Sequence, residues 1–504
     1  MSQSHSNYLD SMYSGSLALL TDFYQLTMAY GYWQGGRADQ EAVFHLSYRR
    51  NPFHGGYALS AGLESAIEWM KRFRFRKDDI EYLATLRGSD GALLFNREFL
   101  DYLGQMKFTC DIDAIPEGTV VFPHEPLVRV KGPILQCQIL ETPLLNLINF
   151  QTLIATKAAR VTYAAGGDSV LEFGLRRAQG MDGGLSASRA AYLGGCDATS
   201  NALAGKVFGI PVRGTHAHSW VMSYEDELEA FKAYAEAMPN NAVFLVDTYQ
   251  TIEGVKKACE IGKWLRKVGQ KFIGIRLDSG DLAYLSQEAR KLLDEAGFPE
   301  AQILASNDLD EELILSLKEQ GAKVSVWGVG THLVTGHGQS ALGGVYKLSS
   351  LKEDSGKWIP KVKLSEQSIK ISDPGILQVR RFFNDQGFLS DMIFDQTQSL
   401  EPPTRVIVDP EDFTRRRELP KELSYEDLLV PIFRKGVCVY QAPELAQVRN
   451  RAFSQLKMLH SGIKRFRNPH RYPVGLESRL SQLKTELIFK HRGYSEQITS
   501  GVKK

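Results

Sequence analysis

The stretch Phe272-Ile273-Gly274-Ile275-Arg276-Leu277-Asp278-Ser279-Gly280-Asp281 decides the fold. A short apolar run ends abruptly in charge, hydroxyl and glycine. A helical pattern then fills 281–296 and stops at Gly297. A continuous apolar run is what a strand buried on both faces requires, and such strands belong to parallel sheets covered by helices. The unit recurs on both sides: residues 170–174, 243–247, 303–308, 324–330 and 344–348 are similar runs, and 212–215 is a weaker one. Between most of them apolar residues return at spacings of three and four, as over 249–268. Seven such runs predict an α/β fold with an irregular, TIM-like closed barrel of about seven parallel strands over 151–350.

The flanks read differently. Residues 1–150 mix an alternating strand at 41–48, a helix at 57–75 and an antiparallel pair at 120–130 and 134–140, an N-terminal α+β domain. Residues 351–504 carry prolines, charge and short strands at 375–383 and 406–408, a C-terminal α+β extension after a turn-rich boundary at 351–373.

Composition narrows the function classes. A chain of 504 residues, 43% hydrophobic and 24% charged, can bury a large core. A net charge of +1 gives no field that would select nucleic acid or a membrane surface. The basic runs 71–77 and 464–467 read as solvated faces. Five cysteines without CxxC spacing argue against a disulfide framework or a zinc site and fit a reducing cytoplasm. Residues 1–16 are polar, without a signal core, and no window reaches the roughly 20 apolar residues of a membrane span.

The chemistry gathers where the runs end. Glu172 and Arg176 follow the first, Thr215 and His218 the second, and Asp247 ends the third. Arg276, Asp278 and Asp281 end the fourth, Ser306, Asn307 and Asp308 the fifth, Gly330 and Thr331 the sixth. Barrels of this kind place their active site at the carboxyl ends of the strands. Helix capping explains Asp247, Asp281 or Asp308 singly, but not the whole set. Arg276 and Asp278 lie two apart on a strand and so share a face. The arginine suits an anionic substrate, and Asp278 and Asp281 could hold Mg²⁺ or sugar hydroxyls. Gly328-Val329-Gly330-Thr331 can offer backbone N–H groups and a hydroxyl to phosphate. Together these suggest a sugar phosphate with a metal.

Arg213-Gly214-Thr215-His216-Ala217-His218-Ser219-Trp220 leaves several chemistries open. Its His-Ala-His pair could hold a metal in a barrel hydrolase, with His332, His337 and Asp278 completing the site. It could also supply a base or a nucleophile. A non-catalytic nucleotide sensor is a further reading.

Seven stretches, in order along nearly the whole chain, resemble the nicotinate phosphoribosyltransferases, a type II phosphoribosyltransferase family. They are residues 19–28 (LLTDFYQLTM), 172–180 (EFGLRRAQG), 214–219 (GTHAHS), 275–282 (IRLDSGDL), 328–331 (GVGT), 342–348 (LGGVYKL) and 468–475 (NPHRYPVG). The resemblance implies that nicotinate attacks C1 of 5-phosphoribosyl 1-pyrophosphate. Nicotinate mononucleotide and pyrophosphate form, coupled to ATP hydrolysis with Mg²⁺, as the first step of NAD biosynthesis from nicotinate. It implies an irregular barrel with an N-terminal α+β domain, and a homodimer. It places Tyr24, Thr215 and Arg276 at nicotinate, and Thr331 at phosphoribosyl pyrophosphate. His218 becomes the residue phosphorylated by ATP. Gly330, Arg176, Asp278, Asp281, Ser306 and Asn307 are candidates for the phosphates. His216 departs from the aliphatic residue usual at its position in the family, which reads as a benign change or as a phosphate contact. A nicotinamide phosphoribosyltransferase, sharing the barrel, is the nearest alternative.

Overall fold

The computed structural model describes residues 16–398 and 405–493. Residues 1–15, which bear on the expectation about a leader, lie outside them. Among the described residues no helix is long and apolar enough to cross a membrane. The chain forms two compact units, one of residues 1–150, 342–443 and 454–504, the other of 151–341 and 444–453.

The second unit is built on six parallel strands, in the order Ala198–Thr199, Ser169–Glu172, Val326–Val329, Gln302–Ser306, Gly274–Leu277 and Val243–Leu245. Their side chains are buried almost throughout, as the unbroken apolar runs require. Helices cover them. Thr251–Lys267 turns Val255, Ala258, Cys259, Ile261 and Leu265 inward, at spacings of one to four. Full burial of a side chain such as Phe244 contributes roughly 1.5–3 kcal/mol. Leu282–Glu295 begins where Asp281 accepts the Tyr284 N–H at 3.0 Å, and it ends before Gly297, whose φ of 84° suits a residue without Cβ.

Among the described residues no closed barrel forms. The weak run at 212–215 reaches the sheet only as an isolated parallel bridge between Val212 and Thr199. Closure needs a continuous staggered ladder. Here Gly214 follows and a helix starts at His218, so the segment is too short to lay one. The links from this segment toward the Val243–Leu245 edge involve side chains: His216 Nε2 accepts the Leu245 N–H at 3.2 Å, and Asn241 Nδ2 donates to Gly214 O at 3.1 Å.

The run at 344–348, expected as another parallel strand, belongs to the first unit. There Gly344–Lys352 pairs antiparallel with Glu41–Tyr48, and Phe44 stacks on Tyr346 with centroids 5.1 Å apart. Hydrophobic patterning marks a strand but does not name its partner. This antiparallel sheet has seven strands, ordered Trp358–Pro360, Gly344–Lys352, Glu41–Tyr48, Val128–Pro133, Asp111–Ala114, Val430–Arg434 and Val437–Cys438. The C-terminal segment is therefore woven into the sheet of the N-terminal one. It also supplies all of a six-stranded sheet, Arg416–Glu418, Val406–Val408, Val474–Glu477, Gly387–Asp395, Leu377–Asn384 and Ser424–Asp427. The expected strand at 134–140 is instead a buried helix, Ile134–Ile139.

Candidate active site

Arg276 organises the carboxyl ends of the parallel strands. Its Nη2 donates to Asp278 Oδ1 at 2.7 Å, its Nε to Ser306 Oγ at 2.8 Å and its Nη1 to Thr215 Oγ1 at 3.2 Å. The Phe173 ring lies 5.8 Å from the guanidinium carbon. Ser306 Oγ also donates to Asp278 Oδ1. Three segments that the sequence separates thus converge on one cation. Its side chain is 13% exposed, enough to meet a ligand while largely removed from water. The pairing of Arg276 with Asp278 follows from their shared strand face.

Asp247 is the residue whose place the sequence left ambiguous. It caps no helix: the N-cap of Thr251–Lys267 is Gln250, without a side-chain bond. Asp247 Oδ2 instead accepts the Asp278 N–H at 2.9 Å and the Ser279 hydroxyl at 2.6 Å. Oδ1, fully buried, has no hydrogen-bond partner and faces His218 Nε2 at 3.9 Å. That separation is electrostatic rather than a hydrogen bond. His218 Nδ1 is likewise buried without a partner. An imidazole with one nitrogen toward a fixed carboxylate and the other uncommitted can act as a nucleophile.

His216 plays a different part. Its ring lies among Phe231, Tyr234 and Phe244, at centroid distances of 6.0, 4.8 and 6.4 Å. Burial lowers its pKa to about 4, so it is neutral at physiological pH. Its Nε2 lone pair is committed to the Leu245 N–H. A metal shared with His218 would need that lone pair. Among the described residues no three His, Cys, Asp or Glu side chains group as a metal site.

The remaining candidates separate into neighbours and outliers. A Cβ on Gly328 would sit 2.8 Å from the Phe173 ring, and one on Gly330 3.1 Å from Phe173 O, so close packing of strand ends explains both glycines. Gly330 precedes the single turn Thr331–Val334, with Thr331 half-buried. Asn307 and Asp308 follow the Gln302–Ser306 strand with φ of 104° and 24°, strained for non-glycine residues, a feature that gathers at binding sites. Asp308 caps nothing; Asp310 caps Glu311–Glu319 through the N–H groups of Glu312 and Leu313. Asp281 is an exposed helix cap. Arg176 and Arg177 are exposed on the turn Leu175–Arg177. Glu172 is wholly buried and spent: it accepts from Ser188 Oγ at 2.8 Å, Thr199 Oγ1 at 2.5 Å and Gly174 N–H. Tyr24, in the first unit, lies on helix Phe23–Gln34, whose buried residues are Gln25, Leu26 and Ala29; Tyr24 itself is 48% exposed and not a core aromatic.

Known proteins share this arrangement of sequence and fold. Three family models match: the nicotinate phosphoribosyltransferase (NAPRTase) N-terminal domain over residues 19–149, the NAPRTase family over 169–386 and the NAPRTase C-terminal domain over 377–484. Nicotinate phosphoribosyltransferase of Bacillus subtilis (strain 168) is 43% identical over 92% of this chain and 93% of its own length. The Homo sapiens relative of the same name is 36% identical over 93% of this chain and 96% of its own. The crystal structure of human nicotinic acid phosphoribosyltransferase matches with a TM-score of 0.81 at 34% identity, covering 93% of this chain and 99% of that one. Nicotinate-nucleotide pyrophosphorylase from Pyrococcus furiosus, at 22% identity and a TM-score of 0.67, shares the fold. This chain belongs to the nicotinate phosphoribosyltransferase family.

Proposed function

We propose that this chain joins nicotinate to 5-phosphoribosyl 1-pyrophosphate, giving nicotinate mononucleotide and pyrophosphate, and that it hydrolyses ATP at His218 to drive the reaction, a ligase-type coupling. The observation that carries the reading is the half-buried Arg276 among Thr215, Ser306 and Asp278 at the strand ends. Nicotinate is a carboxylate at neutral pH. A hydrogen bond to a charged group contributes roughly 1.5–3 kcal/mol, which selects the acid over its amide. Thr215 orients the guanidinium, and Tyr24 stacks on the pyridine ring from the second subunit of a homodimer.

The ring nitrogen of nicotinate carries its own lone pair and attacks C1 without a base. The C1–O bond to pyrophosphate breaks, and the leaving group takes that electron pair. Rate enhancement therefore rests on positioning and on neutralising pyrophosphate. Thr331, Gly330, Ser306, Asn307 and Arg176 are the groups we assign to the phosphates. Mg²⁺ is a reasonable fit here only as a partner of substrate phosphate. Asp278 Oδ1 already serves Arg276 and Ser306, and Asp281 Oδ1 serves a helix cap, so each carboxylate offers its second oxygen. Bound there, Mg²⁺ would supply charge to the departing pyrophosphate.

At His218 an imidazole nitrogen attacks the terminal phosphoryl of ATP, and ADP leaves. Asp247 stabilises the positive charge the ring gains. Water later takes the phosphoryl group from the imidazole and restores it. The five free cysteines fit a cytoplasmic enzyme. The deciding experiment measures mononucleotide formed from nicotinate and from nicotinamide, with and without ATP. Nicotinate should be preferred and ATP should raise its turnover. Preference for nicotinamide without ATP would overturn the proposal.

A further inference from the structure

The 468–475 segment has no part in the reaction described above, yet it shapes an arginine-rich hollow of the antiparallel unit. Arg471 stands between two cavities, of about 440 and 310 Å³, and lines both together with Tyr472 and Val474. Arg49 and Arg50 line the larger cavity, and Arg415, Arg416 and Arg417 the smaller. The acids present are already engaged. Asp409 Oδ1 accepts the Glu411 and Asp412 N–H groups at 2.9 and 3.3 Å and Arg471 Nη2 at 3.3 Å. Glu411 meets His124 and Arg471 at 3.4 Å each. Its carboxyl is held below the usual range, chiefly by the hydrogen bond with His124 and further by Arg471 and Arg50. Among the described residues Arg49, Arg50 and Arg416 have no carboxylate within salt-bridge distance.

The walls of the hollow are tied by contacts of their own. Phe53, His54 and His124, at or beside the larger cavity, hold φ of 56°, 50° and 73°, unfavourable for non-glycine residues. Phe122 and Tyr472 stack beneath it with centroids 3.9 Å apart. The Tyr472 hydroxyl donates to buried Asp391 at 2.8 Å, and Arg381 grips the same carboxylate at 2.6 Å. Guanidinium groups on both sides of a fixed septum, in a chain of net charge +1, concentrate positive charge in one place. Two cavities exceed what a single phosphoryl group fills, and arginine suits phosphoryl oxygens bidentately.

We infer that Arg471, with Arg49, Arg50 and the Arg415–Arg417 run, forms a binding trough for a polyphosphate anion. Titration calorimetry of the full chain with inorganic tripolyphosphate tests it. Arg471→Ala and Arg416→Ala should each weaken one class of sites by about 10-fold, the scale of one charge-assisted bond. Arg276→Ala, in the parallel unit, should leave that class intact. Arg416 is exposed, so its replacement reports on binding rather than folding. Tripolyphosphate should also bind at least about 10-fold tighter than inorganic phosphate. Unchanged affinity in both arginine variants, loss of all binding in Arg276→Ala, or equal affinity for phosphate would each overturn the inference.

Discussion

Glu172 and Arg276 both put charge at the end of a parallel strand, and they do opposite things with it. Glu172 has no exposed surface, and Ser188, Thr199 and the Gly174 N–H occupy its oxygens. Arg276 keeps part of its surface open and is held by hydroxyls and one carboxylate that can turn toward a ligand. A guanidinium carries five N–H donors, and three are used here, so two remain. Charge at a strand end therefore signals chemistry only where its bonding capacity is unfilled. The strand Ser169–Glu172 spends its charge inside the fold, whereas Gly274–Leu277 keeps part of its charge's bonding capacity open to a ligand.

This contrast can be broken by exchanging the readouts. The largest effect is expected where helix His218–Met222 begins: His218→Ala should reduce ATP hydrolysis at least about 10³-fold, roughly 4 kcal/mol, with an unchanged urea midpoint. ATP hydrolysis at the wild-type rate would remove His218 from the nucleophile's role. Glu172→Ala should lower unfolding stability by about 3 kcal/mol or more, because it strands buried donors that cost ~1–3 kcal/mol each. Stability within error of wild type would mean that the network is slack and that Glu172 belongs with the site. Arg276→Ala should do the converse, lowering kcat/KM for nicotinate by ~10–100-fold and narrowing the preference over nicotinamide, with little change in stability. A folding defect matching that of Glu172→Ala would dissolve the distinction.

The effect at His216 depends on pH. Its folded pKa, lowered to about 4, lies below the ordinary value of 6.5. The fold thus favours the neutral ring, and the unfolded chain takes up a proton first as pH falls. Stability is full above about pH 6.5 and is lost progressively toward pH 4, to a total of about 3 kcal/mol. Only part of that is gone by pH 5. Replacing His216 with Leu should cost stability at pH 7, since the Leu245 N–H loses its acceptor, but should flatten the decline between pH 7 and 5. Parallel urea curves for the two proteins across that range would refute the assignment.

Much of this was legible in the sequence, for reasons that also mark its limits. Unbroken apolar runs with helical spacing between them located five of the six parallel strands but not the two-residue Ala198–Thr199, and the alternation of side chains put Arg276 beside Asp278. Partners distant in sequence were not legible. Nothing local says that 344–348 pairs with 41–48, or that Val430–Arg434 lies against Asp111–Ala114. Closure of the sheet depends on a ladder that no local pattern encodes, and the 212–215 run falls short of one. Capping was readable in kind but not in place: Asp281 caps as its position allows, Asp308 yields to Asp310, and Asp247 turns to Asp278 and Ser279. That last outcome required the two strand ends to be seen side by side. His216 differs from His218 through the aromatic rings around it, which come from helix Glu227–Ala237 and strand Val243–Leu245.

His216 has one more consequence. An open sheet ends in a strand whose outward N–H groups can recruit a strand from another molecule. Val243–Leu245 is such a border, and the imidazole occupies its Leu245 N–H with a group that cannot propagate a ladder. While its acceptor nitrogen is unprotonated, the ring leaves no free N–H at Leu245 to serve as the first rung of an added strand.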